Sequence, residues 1–336
     1  MTEWHAVASL DEALNRMKGL LFPINVRFWL TMGLIVLLAG GISSSGGDRM
    51  FSDVGDSSES PAMTPMIVVV FAAILFFGLV FMYVSAVFEY VFVDSLSKGR
   101  LRIVEGFKEY AGMGLSLFLI ELTLVAFMII AAVAVIVPIV AAIASESLAA
   151  MLVTMGVGIV VGAIIIIVLA ILMWLLRDLA VPISYSRGIG VFKAFKEALG
   201  LCRSGFWQVA VYALLKIVLG MAAAMVTFVV ALPLFLAVLA IGAVLGIGAY
   251  VGLAAFSGAD LTPAIGPAIF AIILALVIVQ FAITYVVSVV TLPISVFLRY
   301  FSLVFLQRID PTIKLLQPVK MKEDKPDEAQ EKVKVY

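Results

Sequence analysis

The sequence predicts an all-α polytopic membrane bundle of about six spans, arranged as three repeated hairpins, each led by an amphipathic helix on the cytoplasmic surface. Three observations carry this expectation. The chain of 336 residues is 64% hydrophobic and 13% charged, with a mean hydropathy of +1.21, whereas soluble domains carry about 25% charge. Its apolar runs are long enough to cross ~30 Å of hydrocarbon at ~1.5 Å of rise per residue. A unit of surface helix followed by apolar run recurs along the chain.

The unit is clearest between Arg177 and Gly220. Val191, Phe192, Phe195, Ala198, Leu199 and Cys202 recur at helical spacing with Lys193, Lys196 and Glu197 between them, which sets an apolar face against a charged one. At the N-terminus, Ser9-Leu-Asp-Glu12 reads as a capping box, followed by a stripe of Leu10, Ala13, Leu14, Met17, Leu20 and Leu21, so the first element is another surface helix. Beyond Phe22-Pro23, the group Arg27, Phe28 and Trp29 forms an interfacial anchor, and a first span runs to about residue 42. Residues 43–65 hold four acids against one arginine and read as a solvated loop.

The second span covers about 66–92, with Ser85 and Glu89 near its far end. Residues 94–112 carry four basic residues and, in Ile103, Phe107 and Tyr110, half of an apolar stripe, which predicts the second surface helix. Spans three (114–144) and four (148–176) are joined only by 145–147 and form a tight antiparallel hairpin, with Trp174 and Arg177 at its exit. The fifth apolar stretch, 207–256, would be roughly 75 Å long as one helix. Pro233 is the expected break, after which 234–256, with Gly242/Gly246 and Gly248/Gly252, is re-entrant or lies in the outer leaflet. A loop over 257–267 leads to the last span, 268–294, and the tail 317–336 alternates Lys with Asp and Glu, a composition that predicts disorder.

The repeat is visible residue by residue. A shift of 88 residues lays Lys98–Gly112 on Ser186–Gly200 and aligns Phe-Lys-Glu with Phe-Lys-Glu. Asp11-Glu-Ala-Leu14 matches Lys196-Glu-Ala-Leu199, and Val181-Pro-Ile-Ser184 recurs as Leu292-Pro-Ile-Ser295. One membrane domain over 1–316 then divides at about 9–93, 94–177 and 178–316. With the surface helices inside, all of the 22 Lys and Arg except Arg49 and Lys216 fall in cytoplasmic segments or at their borders. The same rule places both termini in the cytoplasm of a multi-pass cell-membrane protein and argues against a full crossing by 234–256. No short apolar core with a small-residue cleavage site opens the chain, so no removed signal peptide is expected.

The phrases LDEALNRMKGLLFPINVRFWLTMGLIVLLAGG and VPISYSRGIGVFKAFKEALGLCRSGFWQVAVYALL resemble an uncharacterised family of archaeal polytopic membrane proteins. That family looks like a distant relative of the membrane domain fused to some bacterial glycerophosphodiester phosphodiesterases. The shared motifs are a Pro before the surface helix, Ala-x-x-x-x-Leu, then Arg-Gly or Arg-Ser-Gly before an aromatic. Where relatives often have a glutamate shortly after Val-Pro, this chain has Ser184-Tyr185. The phosphodiesterase domain itself is absent, so the resemblance implies a membrane scaffold and no activity.

Three ionisable residues fall inside spans, Glu89, Glu121 and Lys216. A charge within the bilayer costs at least ~2.5 kcal/mol on insertion scales, so each needs a partner or a task. The sequence reading pairs Glu121 with Lys216, sends Glu89 back to the interface, and sets a proton or substrate relay beside this as the functional alternative. Gln280, Thr284, Ser288, Thr291 and Ser295 share one face of the last span, either as a polar path or as interhelical hydrogen bonding. Gly158 and Gly162, with Thr154, form a small-residue ridge for close packing. Cys202 stands at the cytoplasmic border, either as an acylation site or as a buried free thiol.

A single histidine and a single cysteine leave no zinc cluster, and no phosphate loop, nucleophile elbow or metal-binding helix is present. The expectation is a protein that is not an enzyme, has no cofactor and binds no nucleic acid. Its partners are membrane lipids and possible protein at the cytoplasmic face, met by Lys98, Arg100, Arg102, Lys193 and Lys196 at ~1 kcal/mol each near a charged leaflet. The alternative is a transporter or lipid-translocating protein using the intramembrane polar residues.

Overall fold

Long helices follow directly from the long apolar runs, because a backbone in hydrocarbon must bond to itself. The computed structural model describes residues 5–22, 24–41, 64–144, 147–255, 278–313 and 315–316. In order these form α1 (His5–Leu21), α2 (Val26–Val36, continued by a π-helical turn Leu37–Gly41), α3 (Thr64–Lys98) and α4 (Ile103–Ala144). There follow α5 (Leu148–Leu175, with a π-helical turn Leu176–Ala180), α6 (Val181–Arg187), α7 (Val191–Ser204), α8 (Phe206–Ala255), α9 (Ile278–Val290) and α10 (Leu292–Ile309). Among the described residues, five stretches are long and apolar enough to cross a membrane: Leu75–Lys98, Ile103–Ala144, Leu148–Arg187, Phe206–Gly242 and Leu292–Ile309. The chain is an all-α multi-pass membrane bundle.

The first helix departs from its expected role. It begins at His5, four residues before the capping box, so Ser9 is an interior helix residue and is fully buried. The reason is tertiary: α1 packs along α10, with Glu12 bonded to Arg308 and, further up the same pair of strands of chain, Gly33 of α2 against Val289. Those two contacts fix α1 and α2 as one path antiparallel to α9 and α10. Trp29 Nε1 donates to the Leu21 carbonyl at 3.1 Å across the corner between α1 and α2, and Asn25 caps α2 by accepting from the Phe28 N–H. The first helix is therefore docked on α10 as one flank of the bundle.

The second surface helix is not separate either. Residues 94–98 are the last turn of α3, Gly99 turns the chain with φ 64°, and 103–112 are the first turns of the 42-residue α4. Glycine suits that left-handed position because it has no Cβ to clash. At ~1.5 Å per residue α4 is about 63 Å long, twice the hydrocarbon thickness. Its opening turns, with Glu105, Lys108 and Glu109, extend the bundle at a charged end.

The helices α3 and α4 run antiparallel at close range because Gly106 faces Val91 and Gly114 faces Val87. A Cβ at Gly114 would come within 2.8 Å of the Val87 Cα. The predicted hairpin of α4 and α5 is present, with Gly158 against Val135 and Ile139; Gly162 has open space around it.

Two further expectations change. No break occurs at Pro233: α8 runs unbroken for 50 residues, since proline removes one hydrogen bond of many and a bilayer tolerates it within a long helix. The last span does not stop at Ile294; α9 passes through Thr291 into α10, whose Pro293 sits in the first turn, where a missing N–H is cheapest. The loop 43–65 falls almost wholly on residues outside those described, as do the loop 257–267 and the tail 317–336.

The buried core lies at the charged end. Tyr90, Tyr212, Phe301 and Phe305 are among its largest fully buried side chains, and Tyr212 stacks on Phe305 at 4.0 Å between centroids. Toward the other end α4, α5 and α8 expose residues such as Ile130, Val137, Ile159, Ile166, Met225 and Val229. Lipid is as apolar as these side chains, so that surface is at home in a bilayer.

Candidate functional site: a buried charge network and the charged end

The network begins with a proline. Val181 N–H bonds to the Leu176 carbonyl five residues back, as in a π turn. In that register the Arg177 carbonyl would receive the N–H of residue 182, but Pro182 has none. Arg299 of α10 supplies the donor, Nη1 to Arg177 O at 3.0 Å. The π turn thus places Arg177 and Asp178 together in the bundle with α10 against them.

Six further contacts complete the cluster. Arg177 Nε donates to Glu121 Oε1 at 2.9 Å, and the Glu121 residue is 1% exposed. Arg299 Nη2 stands 2.8 Å from Glu89 Oε1, a charge contact without the alignment of a hydrogen bond, and its Nη1 is 3.8 Å from Asp178 Oδ1. Lys216 Nζ pairs with Asp178 Oδ2 and donates to Ser302 Oγ at 3.2 Å. Tyr212 also donates to Asp178 Oδ2, at 3.4 Å. Three carboxylates and three cations from α3, α4, the π turn, α8 and α10 are thereby joined.

The three intramembrane residues singled out by sequence all belong to this cluster, but two partners differ from the expectation. Glu121 does not meet Lys216: it is bound by Arg177, while Lys216 is bound by Asp178. Glu89 does not reach back to an interface; it is 7% exposed and faces Arg299. Sequence reasoning missed Asp178 and Arg299 because both lie where spans were thought to have ended. A signal existed: Arg299 is the single charge in the apolar stretch 292–306, a position that a buried partner alone makes affordable.

Residues on the polar face of the last span make hydrogen bonds. Ser288 is buried and donates to Gly33 O at 3.0 Å, Thr291 donates to Val287 O at 2.8 Å, and Thr284 to Gln280 O at 2.9 Å. Gln280 is exposed and its amide reaches Thr284 at 3.4 Å. Of these bonds the one from Ser288 joins two helices, and those of Thr291, Thr284 and Gln280 stay within the last span.

With that geometry in hand, comparison with known proteins gives one match: residues 4–316 match DUF7544, a family of unknown function. The chain belongs to that family. No curated protein and no solved structure matches it.

In this DUF7544 member the basic surface residues divide into paired and open. Lys98 bonds Asp94 at 2.6 Å, and Arg102 lies 3.3 Å from Glu105. Arg100, Lys193 and Lys196 are exposed. On α7 the residues Val191, Ala194 and Ala198 are fully buried, while Phe192 is 62% exposed with Lys196 Nζ 4.7 Å from its ring centre. Phe206 and Trp207 follow at once, both exposed. Cys202 is half-buried, and burial pushes its thiol up from the usual range. At the other side of the charged end, Glu12 accepts from Arg16 and Arg308. Burial raises the Glu12 carboxyl, but the two guanidinium groups more than offset this and hold it below the usual carboxylate range.

Proposed function

We propose that this protein is a non-enzymatic integral membrane module that retains anionic lipid around its charged end. The observation that carries the reading is α7: a small-residue face docked on the bundle, and outward from it Phe192, Leu199, Lys193, Lys196 and Arg203, leading into exposed Phe206 and Trp207. Aromatic side chains favour the headgroup level, and each lysine or arginine there adds ~1 kcal/mol of attraction to an anionic leaflet. On this reading the charged end faces the cytoplasm, the side that the positive-inside rule favours for basic segments. The resemblance of the chain to the membrane domain of glycerophosphodiester phosphodiesterases fits a scaffold in lipid and supplies no activity.

The test is the lipid that stays with the purified protein. Reversing Arg100, Lys193 and Lys196 to glutamate is expected to lower the co-purified ratio of anionic to zwitterionic lipid, and an unchanged ratio overturns the reading. Transport along the last span has less support, because Ser288 and Thr291 are buried and bonded to carbonyl groups.

A further inference from the structure

A cavity of about 1000 Å³ opens at the charged end among α1, the α3–α4 turn, α6 and α10. None of the residues used for the lipid-retention reading lines it. Its charges balance: Arg16, Lys98 and Arg308 on the walls meet Glu12 and Glu109 there and Asp94 just behind Lys98. They are also committed to one another. Glu12 accepts from Arg16 at 2.9 Å and from Arg308 at 2.9 Å, while Asp94 lies 2.6 Å from Lys98 and accepts from Tyr110 and Tyr185 at 3.0 and 2.7 Å. An anion entering the cavity would face Glu12 and Glu109, and a cation would face the three basic groups. Neither sign of charge is favoured.

Hydrogen-bonding capacity, by contrast, is left over. The Gln307 amide lines the cavity and makes no hydrogen bond among the described residues, so it offers both a donor and an acceptor. Lys98 has further N–H groups beyond the one facing Asp94, and the exposed Glu109 carboxylate has free lone pairs. Ser186 donates to Ile183 O at 3.0 Å and keeps its lone pairs as acceptors. A purely apolar ligand would strip water from these groups without replacing it, at about 1–3 kcal/mol for each one stranded. A hydroxyl both donates and accepts, which is what a wall of mixed donors and acceptors without excess charge can satisfy. The volume, at the upper end of the ~300–1000 Å³ usual for ligand pockets, leaves room for a sugar ring with an attached group.

We propose that this cavity is a binding site for a neutral, hydroxyl-rich group, a sugar or other cyclic polyol, with its hydroxyls on Gln307, Lys98 and Glu109 and its attached group toward Met113. The ligand is either the headgroup of a glycolipid or a soluble sugar. The site goes beyond the retention of anionic lipid and stands whether or not that reading does.

The full-length protein is prepared in a polyoxyethylene detergent, because a glycoside detergent would itself compete. It is titrated calorimetrically with glucose, galactose, mannose and inositol, with the hexyl glycosides of the three sugars, and with glucose 6-phosphate. At least one neutral compound is expected to bind saturably, one per chain. Gln307→Leu is expected to weaken it about three- to tenfold, the worth of a hydrogen bond or two. That variant removes no contact within the protein, so the fold is retained. Gln307→Trp, which fills the cavity from the same position, is expected to abolish binding. A hexyl glycoside binding more tightly than its free sugar assigns the glycolipid source; equal binding assigns the soluble one. Failure of every neutral compound to bind, or binding unchanged in both variants, overturns the site. Glucose 6-phosphate binding at least about tenfold more tightly than glucose overturns the neutral ligand. Lys193→Glu/Lys196→Glu, which lies outside the cavity, is expected to leave sugar binding unchanged even where it lowers the retained anionic lipid.

Discussion

Arg299 donates to the Arg177 carbonyl at 3.0 Å, which is the one carbonyl that Pro182 leaves without a helical donor. The same guanidinium faces Glu89 and Asp178, so one side chain completes a backbone and two ion pairs. Arg299→Leu is therefore expected to destabilise the protein by about 3–5 kcal/mol, because it strands buried charge. Combining it with Glu89→Leu should recover part of the loss. Chemical denaturation in mixed micelles measures both, and a mild single-variant effect would show that water reaches the cluster.

Lys216 and Asp178 form the second test, by coupling. Lys216→Leu and Asp178→Asn are expected to be non-additive by about 1–3 kcal/mol, as direct partners are. Lys216→Leu with Glu121→Gln should add to within about 0.5 kcal/mol if the two lie beyond mutual contact. The reverse pattern would restore the Glu121–Lys216 pairing.

Close packing of α3 on α4 predicts a contrast between glycines. Gly114→Ala forces a methyl toward the Val87 backbone and is expected to cost about 1–3 kcal/mol, as overpacking does. Gly162→Ala has open space and a helix-propensity gain, so it should be neutral or slightly stabilising. Equal melting temperatures for the two variants would contradict the contact.

Acid should loosen the clasp between α1 and α10. The Glu12 carboxyl is held below its ordinary value in the folded protein, so it binds fewer protons there than in the unfolded chain. Its contribution is present above the ordinary carboxylate value of about 4.3 and is lost as pH falls through the lowered one. Wild type is expected to melt above Glu12→Gln at pH 7, with the difference shrinking toward pH 3. A difference that grows on acidification would refute this sign.

What could be read from the sequence and what could not divides along physical lines. The helices α4, α5 and α7 announced themselves through hydrophobic length or amphipathic spacing, both of which are local. Glu89, Glu121 and Lys216 were recognisable because charge in an apolar run is costly wherever it occurs. Their partners were not, since Arg177 and Asp178 sit at a π turn that shifts the helical register, and Arg299 sits beyond a proline that seemed to end a span. Likewise α1 has the periodicity of a surface helix. Only Arg308, 296 positions away in sequence, shows which surface it covers.

The cluster's three carboxylates and three cations sum to zero at ordinary ionisation. Displacing the packed core rigidly along the membrane normal therefore moves no net charge, and the transmembrane potential does no work on the cluster's net charge. Uptake of a single proton would alter that, exposing the core to about 2.3 kcal/mol per 100 mV for a full transit. Balanced, the interior is silent to voltage; one proton out of balance, it becomes an electrical lever.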